Sequence, residues 1–191
     1  MAIRVAIVNM PCHSWEGEPY QKDSVLWTWR RSGSRWSHSI PDSLGGYHQY
    51  PFMIGYATSY LLACGIDVQM IDSIVARHTH KQFLSIIEKI NPDLVIAETS
   101  AGTYENDVRI GKQLHEFGIR VAFTGNYATV NYKDILTNHP WVYTILRGEY
   151  EHNSLKLVKD IENNATNKFY DYDLVTDLDL LPHPYRDDNT I

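Results

Sequence analysis

The cysteines and histidines of this sequence do not have the spacing of a common metal site. The two cysteines, Cys12 and Cys64, lie far apart, and neither belongs to a Cys-x-x-Cys pair. This arrangement argues against a disulfide scaffold, a cysteine-rich zinc site and an iron–sulfur cluster held by this chain alone. His78 and His80 form a His-x-His pair, but zinc needs three or four ligands. We therefore predict no metal site, and we place both histidines in a solvated loop beside a ligand site.

Three clusters of polar and small residues follow predicted strands, where they could bind a polar ligand. They are Glu98-Thr99-Ser100, Gly125-Asn126-Tyr127-Ala128-Thr129 and Arg147-Gly148-Glu149. Each also has a purely structural interpretation. Ser100 and Thr129 are typical helix caps, and Gly125 is a typical turn residue. Arg147 and Glu149 could form an ion pair that shapes their loop, or could face another domain.

Alternating apolar runs and helical stripes position these clusters. Because parallel strands need crossover connections, the alternation predicts an α/β fold, a Rossmann-like (flavodoxin-like), doubly wound, five-stranded parallel sheet. Ligands bind at the carboxyl ends of the strands in such sheets, so the loops after residues 9, 72, 98, 125 and 147 are the candidates. The predicted strands are 3–8, 66–71, 94–97, 119–123 and 141–146, and the predicted helices are 51–64, 83–90, 106–117, 132–137 and 155–161.

Two stretches do not follow the alternation. Residues 11–50 form a long, aromatic-rich insertion after the first strand, and loops of this length in compact domains are functional or disordered. The aromatic content argues against disorder, so we interpret the insertion as a lid over a ligand or a docking surface. Residues 164–191 are polar, acidic and punctuated by proline, as linkers often are. The predicted organisation is a domain at 1–163 followed by a linker at 164–191.

The composition excludes several classes of function. The 191 residues are 43% hydrophobic, enough for a core, and the net charge is −6. An acidic chain has no electrostatic footprint for nucleic acid or an anionic membrane surface. We see no apolar run near the length of a spanning helix and no secretory signal, so we predict a cytoplasmic protein. No GxGxxG or GxxxxGK[ST] motif precedes a helix, which disfavours dinucleotide and P-loop sites.

Short segments between residues 31 and 186 follow a recognisable order and spacing. Thr124-Gly125-Asn126-Tyr127-Ala128-Thr129 stands at the place of a GGPHAT-like turn, Arg147-Gly148-Glu149-Tyr150-Glu151 matches RGExE, and residues 178–186 match a DLDxLPxPxR linker. Residues 31–36, 50–57, 61–68, 71–72, 92–95, 98–100 and 106–107 add further matches. Together they resemble the cobalamin-binding domain of cobalamin-dependent radical SAM enzymes, in a methyltransferase-like branch.

The resemblance implies that the chain binds cobalamin. It places Tyr50, or a neighbouring aromatic residue, beneath the corrin instead of an axial histidine, and His48 as a cobalt ligand is the alternative. Asn126 and Tyr127 replace the Pro-His pair of the family's turn. The remaining implied positions are Gly125, Ala128 and Thr129 along the slot for the nucleotide tail, Glu98, Thr99 and Ser100 beside tail or corrin amides, Ile74, Val75 and Arg77 near the corrin edge, and Arg147, Gly148 and Glu149 in the RGExE match.

The chain has no CxxxCxxC motif, so it cannot hold the four-iron cluster that cleaves S-adenosylmethionine. We expect S-adenosylmethionine and the 4Fe-4S cluster only in a further radical SAM domain or subunit, and no independent catalysis by this chain. In the intact arrangement, the resemblance implies cobalamin-mediated methyl transfer to an unactivated carbon or phosphorus centre, or another radical rearrangement. Two other hypotheses remain open: a non-catalytic interaction module, in which Tyr127 fills the tail slot, and a flavodoxin-like module for a flavin or nucleotide.

Overall fold

Strands and helices alternate through the parts of the chain that the structure, a computed structural model, describes: residues 3–11, 20–22, 25–27 and 50–186. Strand β1 (Arg4–Asn9) is followed by a short antiparallel hairpin of β2 (Tyr20–Lys22) and β3 (Val25–Trp27). The later elements are α1 (Phe52–Ala63), β4 (Asp67–Asp72), α2 (His80–Ile90), β5 (Leu94–Glu98), α3 (Tyr104–Glu116), β6 (Arg120–Thr124), α4 (Asn126–Asn138), β7 (Thr144–Leu146), α5 (Glu151–Glu162) and β8 (Phe169–Tyr170).

The main sheet is parallel and has the strand order β4-β1-β5-β6-β7-β8. This confirms the predicted Rossmann-like α/β fold, with six strands instead of five. The added strand, β8, lies inside the predicted linker and pairs with the edge of β7. Its backbone accepts hydrogen bonds from Ile145 (3.2 Å, to Lys168 O) and Arg147 (3.0 Å, to Tyr170 O).

The chain reverses direction across the sheet between β1 and β5. After β1, the connection leads to β4 on one side, and the later strands add on the other side. Ligands of doubly wound folds bind in the crevice outside the strand ends at such a switch point. Helices α2, α3 and α4 pack on one face of the sheet, and α1 and α5 pack on the other.

Local signals account for several helix ends. Thr79 and Gln82 form a capping box at the start of α2, where each side chain accepts a hydrogen bond from the other residue's backbone N–H (3.2 and 2.8 Å). Asn91 ends that helix in the left-handed conformation. Four predicted starts differ from the structure by three residues or more: α4 begins at Asn126 and not at residue 132, α5 at Glu151 and not at 155, α2 at His80 and not at 83, and β7 at Thr144 and not at 141.

The insertion and the ends of the chain are described only in part. His48 and the tryptophans at positions 15, 29 and 36 lie outside the described residues. In the described parts, no helix has both the length and the apolar character needed to cross a bilayer.

Candidate functional site at the carboxyl edge of the sheet

Four polar side chains lie side by side at the carboxyl ends of four neighbouring strands. Asn9 pairs in register with Asp72, Val8 pairs with Ala97 so that Glu98 lies beside Asn9, and Glu98 pairs with Thr124. Because side chains alternate along a strand, these residues share the face that Ile7, Ile96 and Ala122 present to α1 and α5. We refer to Asp72, Asn9, Glu98 and Thr124 as the polar row.

The polar row is buried but incompletely hydrogen-bonded. Asn9 is 0% exposed, and neither its Nδ2 nor its Oδ1 has a partner among the described residues. Asp72 Oδ1 accepts from the backbone of Ile74 (3.2 Å), whereas Oδ2 has no partner in the described part of the chain. Thr124 donates to Leu146 O (3.0 Å). A buried polar group without a partner costs about 1–3 kcal/mol, so a ligand with complementary donors and acceptors would be stabilised here.

Helix α5 adds a second polar layer that faces the sheet. Glu151 and Ser154 share its buried stripe with Leu157, Val158 and Ile161. Within the described residues, Glu151 Oε2 and Ser154 Oγ have no hydrogen-bond partner. Burial raises the pKa of Glu151, and the nearby Glu149 adds to the shift. The carboxyl of Glu151 is therefore easier to protonate than an exposed glutamate.

The raised pKa of Glu151 gives a pH-dependent prediction. The folded state favours the protonated carboxyl, so its stabilising effect is present below the ordinary pKa of 4.5 and is lost as pH rises through the raised value. We expect Glu151→Gln, which cannot ionise, to melt at a higher temperature than the native chain at pH 7. The difference should shrink at about pH 4. Glu162→Gln, at the exposed end of α5, is the control; the same gain in both variants would contradict the prediction.

Gly125 brings the turn after β6 against the end of β5. Its φ is +92° and its ψ is 178°. A Cβ atom there would lie 2.7 Å from Thr99 O and 3.0 Å from Glu98 Cγ. Glu98, Thr99 and Gly125, which the sequence analysis selected separately, are thus in direct contact. Only glycine readily adopts this conformation and tolerates so close an approach.

Hydroxyl groups behind this turn bind a buried carboxylate. Thr99 and Thr103 each donate to Asp107 Oδ2 at 2.7 Å, and Ser100 Oγ lies 3.1 Å from Thr103 Oγ1. The N-cap residue of α3 is Thr103, so the structural interpretation of Ser100 as a cap is wrong. These hydrogen bonds hold the loop after β5 in place, and the Thr99 hydroxyl takes part in them through Asp107.

A second cluster forms around Arg147. Its Nε donates to Thr129 O (3.2 Å), Thr129 Oγ1 accepts from Gly148 N (3.0 Å), and Nη1 pairs with Asp171 (2.5 Å). The guanidinium also lies between two aromatic rings, 4.1 Å from the centre of Tyr132 and 4.8 Å from that of Tyr172. Glu149 Oε2 accepts from Val175 N (3.2 Å), so both residues of the suggested Arg147–Glu149 pair bind the C-terminal segment instead.

The rest of the turn after β6 points elsewhere. Tyr127 packs on Tyr104, with ring centres 4.5 Å apart, in the core on the face of α2, α3 and α4. Ala128 is buried in the same core, and Asn126 is exposed. Tyr127 therefore lies on the opposite face of the sheet from the polar row and α5.

The loop after β4 holds the other predicted contacts. Ile74 is buried, Val75 is half-buried, and Arg77 is exposed with a φ of +55°. His78 Nδ1 lies 3.2 Å from Ser73 Oγ, and burial lowers the pKa of His78. His80 is buried against Arg109 (3.1 Å), so the prediction of a solvated loop is wrong for it. No group of three or more His, Cys, Asp or Glu in the described ranges is arranged to hold a metal.

Tyr50 is held at the start of α1 by the C-terminal segment. Its hydroxyl donates to Tyr185 O, and Tyr185 N donates to Gly55 O (3.0 Å). The Arg186 guanidinium lies 4.7 Å above the Tyr50 ring. At its other end the segment binds α5, since Asn153 donates to Asp171 O (2.9 Å) and Lys156 pairs with Asp173. Residues 171–186, which we call the strap, thus connect the first turns of α5 and α1.

Several residues of the site were not predicted from the sequence as binding residues. The loops after residues 9 and 72 were predicted, but Asn9 and Asp72 themselves were not, and neither Thr124 nor Glu151 was predicted to bind a ligand. The available signal was a polar residue at the last position of each of four strands, β1, β4, β5 and β6.

Comparison with known proteins supports the fold. No protein-family model and no curated protein matches the chain. Solved structures of the cobalamin-dependent S-adenosylmethionine radical enzyme OxsB resemble it. The TM-score is 0.61 with aqua-cobalamin and S-adenosylmethionine bound, 0.60 with aqua-cobalamin bound, and 0.52 for the apo, selenomethionine-labelled protein. Sequence identity is 16%, 16% and 14%, and each match covers 97% of this chain but 22% of OxsB.

Proposed function

We propose that this chain binds cobalamin at the carboxyl edge of its sheet, with the nucleotide tail between the polar row and helices α1 and α5. The observation that carries the proposal is the row of buried strand-end side chains with unpaired atoms on Asn9 and Asp72. Such groups need partners, and the amides, phosphate and ribose of cobalamin supply many. The fold that this chain shares with part of OxsB, whose structures were solved with aqua-cobalamin bound, supports cobalamin as the ligand.

The residues present are compatible with such a ligand. Gly125 packs the turn after β6 directly on the end of β5 and so fixes the backbone at this edge of the sheet. The polar row offers the ligand hydrogen-bond acceptors and a carboxamide at the strand ends. Ile74 and Val75, in the loop after β4, offer it apolar surface. When bound, the cobalt of cobalamin would supply methyl-transfer chemistry. The chain's own residues would orient the corrin and exclude water from the tail.

Cobalamin can enter the site between the polar row and helices α1 and α5 only if the elements that enclose this site move. Because Asn9 is fully enclosed, a ligand group reaches it only if the surrounding elements separate. The strap connects α1 and α5 through Tyr185, Asp171 and Asp173. We infer that the strap must yield during loading, and that a radical SAM domain or subunit would receive the loaded cofactor on the same edge.

The direct test is to mix the purified chain with hydroxocobalamin, desalt it, and record the visible spectrum of the protein fraction. We expect about one equivalent of retained corrin, and a melting temperature that rises with corrinoid concentration because ligand binding stabilises the folded state. The band positions would report whether a nitrogen ligand occupies the lower face of the cobalt. A folded, colourless protein would contradict the proposal and favour the interaction module.

A matched pair of single-atom changes tests where the ligand binds. Asp72→Asn alters an unpaired acceptor of the polar row, whereas Asp93→Asn alters an exposed carboxylate at the amino end of β5 that accepts from Arg4 N (2.9 Å). We expect Asp72→Asn to weaken cobalamin binding about tenfold, the effect of one lost hydrogen bond to a charged group. Asp93→Asn should leave the affinity unchanged. Equal effects in titrations of the two variants would place the ligand elsewhere.

A further inference from the structure

Asn9 occupies the central part of the polar row. Asp72 and Glu98 flank it on the neighbouring strands, and all three side chains are buried. Both polar atoms of the Asn9 carboxamide lack a partner among the described residues. A ligand that satisfies Asn9 must therefore offer an acceptor to Nδ2 and a donor to Oδ1, both in the plane of the carboxamide. The neighbouring carboxylates of Asp72 and Glu98 can accept further hydrogen bonds from the same ligand.

This requirement distinguishes between kinds of flat aromatic base. A carboxamide can form a bidentate pair with the free edge of the adenine of such a corrinoid, accepting from the N6 amino group and donating to the ring nitrogen N1, because N7 carries the ribose. A dimethylbenzimidazole ring carries methyl groups and C–H on the corresponding edge, so this base offers neither atom of Asn9 a hydrogen-bond partner. A site built to hydrogen-bond a ligand discriminates strongly against an analogue that lacks the polar groups.

We propose that Asn9 makes the tail slot selective for a corrinoid whose lower nucleotide carries adenine rather than dimethylbenzimidazole. This inference rests on the proposed function, because it assigns the base that the same slot accepts. Asp72 Oδ2, also unpaired in the described residues, provides a second acceptor for the amino edge of the base. Asn9 is thus a specificity residue for the ligand.

The experiment compares four ligands by calorimetric titration of the full chain: the adenine-bearing corrinoid, hydroxocobalamin, cobinamide, which has no nucleotide base, and adenosine monophosphate. We expect the adenine-bearing corrinoid to bind about tenfold more tightly than hydroxocobalamin, the effect of a bidentate pair. Asn9→Leu should remove this preference by weakening the adenine-bearing corrinoid alone. The control is Thr144→Val. Thr144 lies two positions before the end of β7, and its buried hydroxyl also has no partner in the described residues.

The other outcomes would overturn either this inference alone or the proposed function as well. Equal affinity for the two complete corrinoids, or a preference that survives in Asn9→Leu, overturns the inference and leaves the proposed function intact. Cobinamide binding as tightly as both would show that the tail does not enter the slot, with the same consequence. Binding of adenosine monophosphate without any corrinoid would overturn both proposals. If Asn9→Leu does not fold, Asn9→Ser, which is too short to reach the base, gives the same comparison.

Discussion

Gly125→Ala is expected to lower the free energy of unfolding by about 3 kcal/mol, the combined effect of backbone strain and a steric clash. The glycine has φ +92° and ψ 178°, a region that side-chain-bearing residues avoid. The added methyl group would also lie 2.7 Å from Thr99 O, which is backbone and cannot rotate away. Urea unfolding followed by circular dichroism measures the loss.

Gly118→Ala separates these two causes. Gly118 also has a positive φ of +84°, but a Cβ there would meet nothing within 4 Å. We expect this variant to lose about 1 kcal/mol, which is the cost of the left-handed conformation alone. Equal losses in the two variants would contradict the close packing of the turn after β6 on the end of β5. In that case, Gly125 would have no special part in shaping the slot.

Most of the fold follows from local sequence patterns. Buried β-branched runs such as residues 94–97 alternate with amphipathic helices, and right-handed crossovers then leave few arrangements other than a parallel, doubly wound sheet. The sixth strand could not be predicted in the same way. Phe169–Tyr170 is two residues long and lies in a polar stretch, and it pairs only because the end of α5 delivers it to the free edge of β7.

The start of α4 also could not be predicted from the spacing of apolar residues. The apolar stripe is clear only in the second half of this helix, and Asn131 interrupts the helical backbone with φ −100° and ψ 20°. Its first turn begins at Asn126, directly after Gly125, so the residues taken for an extended turn are helical. Tyr127 is consequently directed to the core on the α4 face, and this changes its interpretation from slot-filling residue to core residue.

The loops that contain the candidate site could be predicted from the sequence, but the side chains that form it could not. The loops at the strand ends follow from the fold class, whereas the polar row exists because four strands end in register. Register is set by tertiary packing, and a shift of one residue would turn each of these side chains to the opposite face. A single sequence therefore marks Asn9 as the last residue of a strand without indicating which face it occupies.

Asn9→Leu is expected to raise the free energy of unfolding of the protein without corrinoid by about 1–2 kcal/mol, because replacing an unpaired buried amide by an apolar side chain of similar volume removes a desolvation cost. Equilibrium urea unfolding in the absence of corrinoid checks this. Asn153→Leu is the matched control, since Asn153 is also buried but donates to Asp171 O (2.9 Å). We expect that variant to lose about 1–2 kcal/mol, because Asp171 O loses its donor.

Opposite signs for these two substitutions would identify Asn9 as a residue that reduces stability while Asn153 increases it. Residues that break a rule of stability tend to lie at functional sites, so the same Asn9→Leu variant should bind the adenine-bearing corrinoid less well. Loss of stability in Asn9→Leu would instead mean that the amide already has a partner in the folded protein. That result would remove the unpaired donor and acceptor on which the tail slot depends.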